Sequence, residues 1–350
     1  MNEKTTSLHN VAARIESAVK RIKPSLDGLC VLTEAASGPF VATASIAALS
    51  GARKVIACTR DSRFGSAREV RDLTLALAGL LNVDHCIEVS ERQPFEAAED
   101  ADIVTNLGFV RPVSRDIVRR LPNHAAIALM WEPWEFRKED VDIKACREFG
   151  IPIIATNERH PNVATFRAVG MLSLKLLLER DVEVTGLNLL VIGSDPFGSA
   201  CKEVLTSVGA FVTKLDPTYS WSSEDACVAL NHADAVVIVE HRFRGEILGP
   251  SVTPVLDGLK DRRAPIIHIC GLVDNHFLES HGIEKYPQHS VPLGYMTVTT
   301  AYVGVKPVVD LHTAGLHVAA IVCRARKSGA SIDAAVDEAV SSGYGLRLTD

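Results

Sequence analysis

Six consecutive residues of the sequence, 193–198, have the types that build a phosphate-binding turn. They are, in order, Gly193, Ser194, Asp195, Pro196, Phe197 and Gly198. An apolar run at 189–192, typical of a strand buried on both faces, precedes the turn, and a helical pattern follows it. A second apolar run, 211–215, ends in Asp216. This order of strand, turn, helix, strand and acid predicts a dinucleotide-binding unit, with NAD as the cofactor and Asp216 as the ligand of its adenosine ribose.

One position of the turn departs from the glycine pattern of such units. Glycine at the second position lets the backbone approach a pyrophosphate, and here that position is Asp195. A carboxylate suits a helix N-terminus, where it accepts hydrogen bonds from free N–H groups, but it repels phosphate at short range. The alternative interpretation is therefore a Rossmann layer whose cofactor site has closed or has taken another ligand. If NAD binds, Asp216 predicts a preference for NAD over NADP, because an acid repels a 2′-phosphate.

Polar and aromatic residues also follow three predicted strands in the first half of the chain. Open parallel sheets bind ligands at the carboxyl ends of their strands, so these residues are candidates for a substrate pocket. The candidates are Asn106, Arg111, Trp131, Trp134 and Asn157 for substrate binding, and Glu132 and His160 for catalysis. The alternatives are a dimer contact for the tryptophan loop, since aromatic residues are enriched at interfaces, and a capping or interdomain hydrogen bond for His160.

In the second half of the chain, a charged loop follows the apolar run at 235–239. It contains His241, a candidate for catalysis, and Arg242, a candidate for binding an anionic substrate group, although a solvated loop explains both residues equally well. His312 and His317 are five positions apart on a predicted helix, which places them on different faces. No shared metal site is therefore predicted.

Composition excludes several classes of function. The chain has 350 residues, of which 47% are hydrophobic, and its net charge of −6 comes from interspersed acidic and basic residues, so no nucleic-acid partner is expected. Its eight cysteines are scattered without a C-x-x-C pair, which indicates free thiols and a cytoplasmic location. The apolar stretch at 308–323 contains Asp310, His312 and His317, so a membrane span is not expected.

Two α/β layers are needed to position these groups. A second unit of strand, turn, helix, strand and acid precedes the first along the chain, at 29–61. The predicted fold class is therefore α/β, with two tandem Rossmann-like, doubly wound parallel-sheet domains joined by a long interdomain helix at 156–180. The predicted domains are 1–160, opening with a helix at 7–23; 161–310, which binds the dinucleotide; and 311–350, whose helices pack back on the first domain. A homodimer is the expected assembly.

The stretch 141–181 resembles the D-2-hydroxyacid dehydrogenase family, which includes the formate and glycerate dehydrogenases. In that family the first domain ends with an aspartate-led helix, a Gly-Ile-Pro strand, an asparagine and the interdomain helix. Asp142, the tripeptide 150–152, Asn157 and the predicted helix after Asn162 follow the same order. The resemblance covers about residues 100–270. It implies an NAD-dependent oxidoreductase that acts on a small polar metabolite in the interdomain cleft.

The family's catalytic residues are not matched, however. The family's catalytic arginine precedes a glycine, and here Cys270 precedes Gly271; its late histidine follows a proline, and 291–296 contains no histidine. The resemblance therefore does not imply turnover of ordinary 2-hydroxyacids. Two alternatives remain. The first is an S-adenosylmethionine-dependent methyltransferase that uses the first layer, with Gly38 in its turn and Asp61 on the ribose. The second is a non-catalytic ligand-binding or scaffold protein with a vacated nucleotide site.

Overall fold

The computed structural model describes residues 7–217, 223–250 and 257–348. The chain divides into two compact units, of which unit 2 is Thr165–Val303 and unit 1 comprises the residues on either side of it. The helices are α1 Leu8–Ile22, α2 Ala42–Leu49, α3 Ala67–Leu80, α4 Arg115–Val118, α5 Ile143–Phe149, α6 Phe166–Glu179, α7 Phe197–Ser207, α8 Glu224–His232, α9 Asp257–Arg262, α10 Asn275–Ser280, α11 Lys306–Lys327 and α12 Ile332–Ser341. The strands are β1 Cys30–Glu34, β2 Lys54–Cys58, β3 Ile87–Ser90, β4 Ile103–Thr105, β5 Ala126–Leu129, β6 Ile153–Thr156, β7 Asn188–Ile192, β8 Phe211–Leu215, β9 Ala235–Val239, β10 Glu246–Leu248, β11 Ile266–Cys270, β12 Leu272–Val273, β13 Lys285–Tyr286 and β14 Gly345–Arg347.

Unit 1 is built around a seven-stranded sheet in the order β14-β6-β5-β4-β1-β2-β3. Strands β1 to β6 are parallel to one another, and β14 pairs with β6 in the antiparallel direction at the edge of the sheet. Successive side chains of β1 point to opposite faces: Val31 packs in the core under α1, α2 and α11, and Leu32 packs in the core under α4 and α5. The strand order reverses between β1 and β4, which makes their carboxyl ends the switch point of this sheet.

Unit 2 has a five-stranded parallel sheet in the order β13-β11-β9-β7-β8. Its buried strand residues, such as Leu190 and Val236, pack against helices α8, α9 and α10 on one face. The order reverses between β7 and β9, so the switch point of unit 2 lies at their carboxyl ends. Two Rossmann-like doubly wound sheets are thus present, and the predicted fold class is confirmed.

One predicted helix is shorter than its sequence pattern indicated. The expected helix at 156–180 begins only at Phe166, and it lies entirely in unit 2. The preceding residues form hydrogen-bonded turns, in which the N–H groups of Val163 and Ala164 donate to the carbonyl of His160. Pro161 disfavours helical backbone at the residue before it, and Ala164 has a φ of 45°, which is not helical and prevents a continuous helix before Phe166.

Helix α11 has the length and apolar composition of a membrane span, but 78% of its most apolar window is buried inside the protein. It packs against β4, β5 and β6 and against α1, α2 and α12, all of which belong to unit 1. Its apolar character is therefore that of a core helix, since a helix covered on most sides needs few polar residues.

Candidate functional site

The candidate residues of the first half lie along the carboxyl edge of the sheet in unit 1. Asn106 follows β4, Trp131 and Glu132 follow β5, and Asn157 follows β6. Asn106 is fully buried, and its Oδ1 accepts a hydrogen bond of 2.9 Å from the N–H of Met130. The strands are neighbours in the sheet, so their ends bring these residues to one edge, where parallel sheets bind ligands.

Glu132 is held rigidly although it carries a carboxylate that is only 3% exposed. The indole N–H of Trp134 donates to its Oε2 at 2.8 Å, and the Arg159 Nε lies 3.7 Å from its Oε1. A buried carboxylate needs such partners because desolvation disfavours the charged form. Trp134 therefore positions Glu132.

Two further carboxyl groups share a hydrogen bond at the same edge. Glu135, in the short helical turn Pro133–Glu135, is bonded to Glu158, which follows β6. Desolvation raises the pKa of Glu135 well above its ordinary value, and the negative charge of Glu158 raises it further. The two groups, hereafter the acid pair, therefore disfavour a state in which both are ionised, because two adjacent carboxylates repel each other.

Two guanidinium groups lie against the ring of Trp131. Arg111 and Arg137 each lie over its ring, with 5.3 Å from the guanidinium carbon to the ring centroid. Both arginines pair with the buried Asp140, at 3.4 Å and 3.0 Å. Arg111, predicted to bind substrate, thus contributes to a network that fixes the Trp131 ring.

Three buried polar atoms at this edge form no hydrogen bond with any of the residues that the structure describes. They are the Asn106 Nδ2, the Trp131 Nε1 and the Glu132 Oε1. A buried polar group without a partner costs free energy, so polar atoms of this kind are expected to face a ligand or water. Two of them are donors and one is an acceptor, which suits a polar molecule rather than an apolar one.

Asn157 and His160 join the loop after β6 to the C-terminal segment. The Asn157 N–H donates to the Tyr344 carbonyl at 2.7 Å, and its Nδ2 donates to the Gly343 carbonyl at 2.8 Å. The His160 ring stacks on Tyr344 with 3.8 Å between centroids, and its Nδ1 accepts from the Asn162 N–H. Burial lowers the pKa of His160. These contacts give both residues a structural role, and their roles in binding and catalysis stay predictions.

A buried glutamate that the sequence patterns did not single out lies at the switch point of unit 1. Glu34 is the last residue of β1, and its Oε2 accepts a hydrogen bond of 3.1 Å from the Phe109 N–H in the loop after β4. Burial raises its pKa, while hydrogen bonds from Phe109 and Gly108 and the charge of Arg111 act in the opposite direction. The sequence offered no signal that this acid is buried, because acids at strand ends are often solvated.

In unit 2, the two glycines of the turn at 193–198 are required by close packing. A Cβ at Gly193 would lie 2.7 Å from the Val239 carbonyl oxygen, and one at Gly198 would lie 2.1 Å from the Gly193 carbonyl oxygen. Both distances are shorter than atoms tolerate, so the turn, β9 and the first turn of α7 approach each other in a way that only glycine permits. The close approach of a pyrophosphate, which the glycine pattern predicts, stays a prediction.

A second buried glutamate holds this turn. Glu240, which follows β9 and is 1% exposed, accepts hydrogen bonds at its Oε2 from the Ser194 N–H at 2.6 Å and at its Oε1 from the Ser194 hydroxyl at 2.8 Å. The N–H groups of Arg242 and Phe243 donate to the same Oε1 at 2.6 Å and 2.8 Å. The Glu240 carboxylate therefore accepts hydrogen bonds from both loops at the switch point.

The remaining predicted residues of unit 2 surround this turn. Asp195 is exposed, and its carboxylate pairs with the Lys214 ammonium at 2.7 Å and accepts from the Ser199 hydroxyl; these partners, Lys214 first, lower its pKa. Pro196 takes the N-cap position of α7, one residue after Asp195. Phe197 is buried and stacks on His241 with 4.2 Å between ring centroids. Asp216 directly follows β8, beside the turn's own strand β7.

These residues keep the order that the sequence pattern predicts for a nucleotide-binding turn, and their roles as cofactor ligands stay predictions. Gly193 and Gly198 form the tight turn, and Asp216 ends the strand next to β7, where a ribose ligand is expected. At the turn where a pyrophosphate is expected, the Ser194 N–H already donates to Glu240, and Asp195 adds a second carboxylate. In unit 1 the rival ribose ligand, Asp61, accepts a hydrogen bond of 2.8 Å from the Ala67 N–H at the start of α3.

Comparison with known proteins shows a likeness in fold. A dipicolinate synthase polypeptide from Bacillus halodurans aligns with 86% of this chain and 98% of its own, at 12% identity and a TM-score of 0.51. Apo D-mandelate dehydrogenase from Rhodotorula graminis aligns with 75% of this chain and 91% of its own, at 12% identity and a TM-score of 0.36. A putative D-3-phosphoglycerate dehydrogenase from Ralstonia solanacearum aligns with 72% and 88%, at 11% identity and a TM-score of 0.34.

The sequence matches no protein-family model and no curated protein sequence. At these identities the structural likenesses concern the fold alone. The fold is that of a chain with two Rossmann-like sheets, and it is similar to the fold of the dipicolinate synthase polypeptide.

Proposed function

We propose that this protein is an NAD-dependent, oxidoreductase-like enzyme that acts on a small polar metabolite. The metabolite binds at the carboxyl edge of the sheet in unit 1, and the nucleotide binds at the switch point of unit 2. One observation carries the proposal, namely the hydrogen bond between Glu135 and Glu158 with the raised pKa of Glu135. A carboxyl group whose pKa is raised above its ordinary value can deliver or accept a proton in a reaction, as general acids and bases do.

The division of roles follows from the chemistry of the two edges. Gly193, Gly198 and Asp216 support binding of the adenosine half, and the nicotinamide, when bound, would supply hydride chemistry. In unit 1, the acid pair holds the proton, Trp134 and Arg159 position Glu132, and Asn106 and Trp131 offer buried N–H donors. Hydride transfer to or from a carbon that bears oxygen or nitrogen requires a proton to move as well, which is the task assigned to the acid pair.

The polar atoms also restrict the class of metabolite. The Asn106 Nδ2 and the Trp131 Nε1 suit an oxygen acceptor, and the Glu132 Oε1 suits a hydroxyl or ammonium donor. A small molecule that carries both kinds of group, such as a hydroxy or amino acid other than an ordinary 2-hydroxyacid substrate, fits this set. We also propose a reducing, cytoplasmic environment, because all eight cysteines are free thiols.

The proposal is tested first by binding. NAD, NADP and S-adenosylmethionine are titrated into the whole chain by calorimetry, and thermal unfolding is followed with each ligand. Stabilisation by NAD above that by the other two supports the proposal, because a ligand that binds the folded state raises its stability. Preferential binding of S-adenosylmethionine would favour the methyltransferase, and binding of none of them would favour a protein with a vacated nucleotide site.

The second test concerns the acid pair. A panel of hydroxy and amino acids is screened with NAD for formation of NADH, and the best substrate is then used with Glu135→Gln. We expect kcat to fall by about a hundredfold or more, the usual contribution of a general acid or base. Glu139→Gln is the matched control, because Glu139 is an exposed residue of the same loop. A loss of the same size in both variants, or in neither, would contradict the assigned role.

A further inference from the structure

The switch point of unit 2 contains its own anion. Glu240 is almost completely buried, and its two carboxylate oxygens accept four hydrogen bonds, two from Ser194 and one each from the N–H groups of Arg242 and Phe243. The carboxylate thereby joins the turn after β7 to the loop after β9. Backbone N–H groups in such turns commonly bind the phosphates of a nucleotide, so the carboxylate of Glu240 uses a donor that a phosphate would need.

The negative charge at the turn also disfavours phosphate, as does the loss of the Ser194 N–H as a free donor. Glu240 lies on one side of Ser194, and Asp195, the next residue along the chain, carries a second carboxylate. Lys214 compensates Asp195 through an ion pair of 2.7 Å, but the four donors to Glu240 are neutral groups. A phosphate at Ser194 would therefore meet a buried negative charge at short range, where screening by salt is weak.

We propose that Glu240 is a specificity-determining residue of the nucleotide site, and that it prevents the phosphates of a ligand from contributing to binding at the turn. This inference rests on the proposed nucleotide site of unit 2. Ligands are then held through adenosine, next to Asp216, and a pyrophosphate adds no affinity. Ordinary glycine-rich turns behave in the opposite way, because there the helix N-terminus and its N–H groups favour negative charge.

The experiment compares a series of ligands of increasing charge by calorimetry. Adenosine, ADP, ADP-ribose and NAD are titrated into the wild-type chain and into Glu240→Gln. In the variant, the amide oxygen can keep the hydrogen bonds from Arg242 and Phe243, while its NH2 group cannot accept the one from the Ser194 N–H. That donor becomes available to a phosphate, and a negative charge is removed.

We expect wild-type protein to bind ADP and NAD no more tightly than adenosine. In Glu240→Gln, ADP should bind at least about tenfold more tightly than adenosine, which is the effect expected of a charge-assisted hydrogen bond to phosphate. Added salt should weaken ADP binding to the variant more than adenosine binding. Glu203→Gln is the control, because Glu203 is an exposed carboxylate on α7, and it should leave the order of affinities unchanged.

The outcomes separate this inference from the proposed function. If the wild-type chain binds NAD or ADP at least tenfold more tightly than adenosine, the nucleotide site stands and the role of Glu240 is wrong; this comparison needs no variant. If no ligand of the series binds either protein, both the nucleotide site and the inference fail. If Glu240→Gln folds and still shows no gain from phosphate, Glu240 is not the determinant.

Discussion

The switch points of the two units each contain a buried glutamate, but the two glutamates accept hydrogen bonds from different loops. Glu34 belongs to the strand that precedes the glycine turn of unit 1, and it accepts backbone hydrogen bonds from the other loop, after β4. Glu240 follows β9, and it accepts hydrogen bonds from the glycine turn itself, after β7. The same residue type at the same edge of a sheet therefore does two different things. In unit 1 the glutamate makes no hydrogen bond to the described residues of the turn after β1, and in unit 2 it fixes the turn after β7 through hydrogen bonds.

The difference shows that the position of an acid within a doubly wound sheet decides what it does to the turn. Glu34 has two backbone donors as partners, and burial raises the pKa of its carboxyl group. Glu240 has four donors as partners. We therefore expect Glu240 to contribute more to the folded state than Glu34, because each donor satisfied by a buried carboxylate would otherwise be left unpaired.

Glycine substitutions at the two switch points should give the largest contrast. In unit 2, Gly198→Ala places a Cβ 2.1 Å from a backbone carbonyl oxygen, whereas in unit 1 Gly108→Ala places it 3.0 Å from the flexible Glu34 side chain. We expect Gly198→Ala to cost about 3 kcal/mol and Gly108→Ala no more than about 1 kcal/mol. The shift of the urea midpoint measures both costs.

The control for these two variants is Gly79→Ala in α3, where nothing lies within 4 Å of the added Cβ. This change should stabilise the chain by about 0.5–1 kcal/mol, because glycine is unfavourable inside a helix. Equal destabilisation by the substitutions at Gly198 and Gly108 would remove the contrast between the two turns.

Truncating the two glutamates should give the next largest difference. Glu240→Ala leaves the donors of Ser194, Arg242 and Phe243 without their acceptor, and we expect it to cost about 3 kcal/mol, whereas Glu34→Ala should cost about 1–2 kcal/mol. Thermal unfolding of both variants, with circular dichroism to confirm folding at low temperature, provides the measurement. A greater loss in Glu34→Ala would reverse the comparison.

The smallest expected effect is the dependence of stability on pH that Glu34 of unit 1 causes. Burial raises the pKa of Glu34, so the folded state binds this proton more tightly than the unfolded state does. The stabilisation is complete below the unfolded pKa, about 4.3 for glutamate, and it is lost as the pH rises through the folded value. Glu34→Gln lacks this loss.

We therefore expect the stability of Glu34→Gln relative to wild type to increase between pH 4 and pH 7, by an amount below that of the truncations. Thermal unfolding across this range measures the trend, and Glu16→Gln, at an exposed glutamate of α1, corrects for the loss of one carboxylate. A relative stability that decreases with pH would mean that the Glu34 carboxylate is stabilised in the folded state.

Much of the fold was predictable from local sequence, because buried strands of parallel sheets are continuous apolar runs. The buried strands β7 and β9 and the glycine turn between β7 and α7 were identified from such patterns, and both glycines occupy positions that exclude a side chain. Strand β8 was also located, but it lies at the edge of the sheet and only Leu215 of its residues is buried. The predicted helix began too early for a local reason. Its apolar stripe lies after Pro161, and the residues before this proline do not belong to the helix.

The candidate sites were only partly predictable. The loops at Trp131 and Asn157 were found because they follow apolar strands, but the hydrogen bond between Glu135 and Glu158 joins residues on two separate loops. Glu34 was not predictable as a buried residue, since nothing in its neighbourhood along the chain distinguishes a buried acid at a strand end from a solvated one.

The sequence by itself determined the two doubly wound layers, the turn at 193–198 and the residue types available at each strand end. Tertiary structure alone decided which of these residues meet. Ser194 and Glu240 are 46 positions apart, and they form hydrogen bonds because β7 and β9 are neighbours in the sheet of unit 2. Periodicity reports whether a residue is buried, but it does not report the order of strands, and that order determines whether a carboxylate or a ligand uses the donors of the turn.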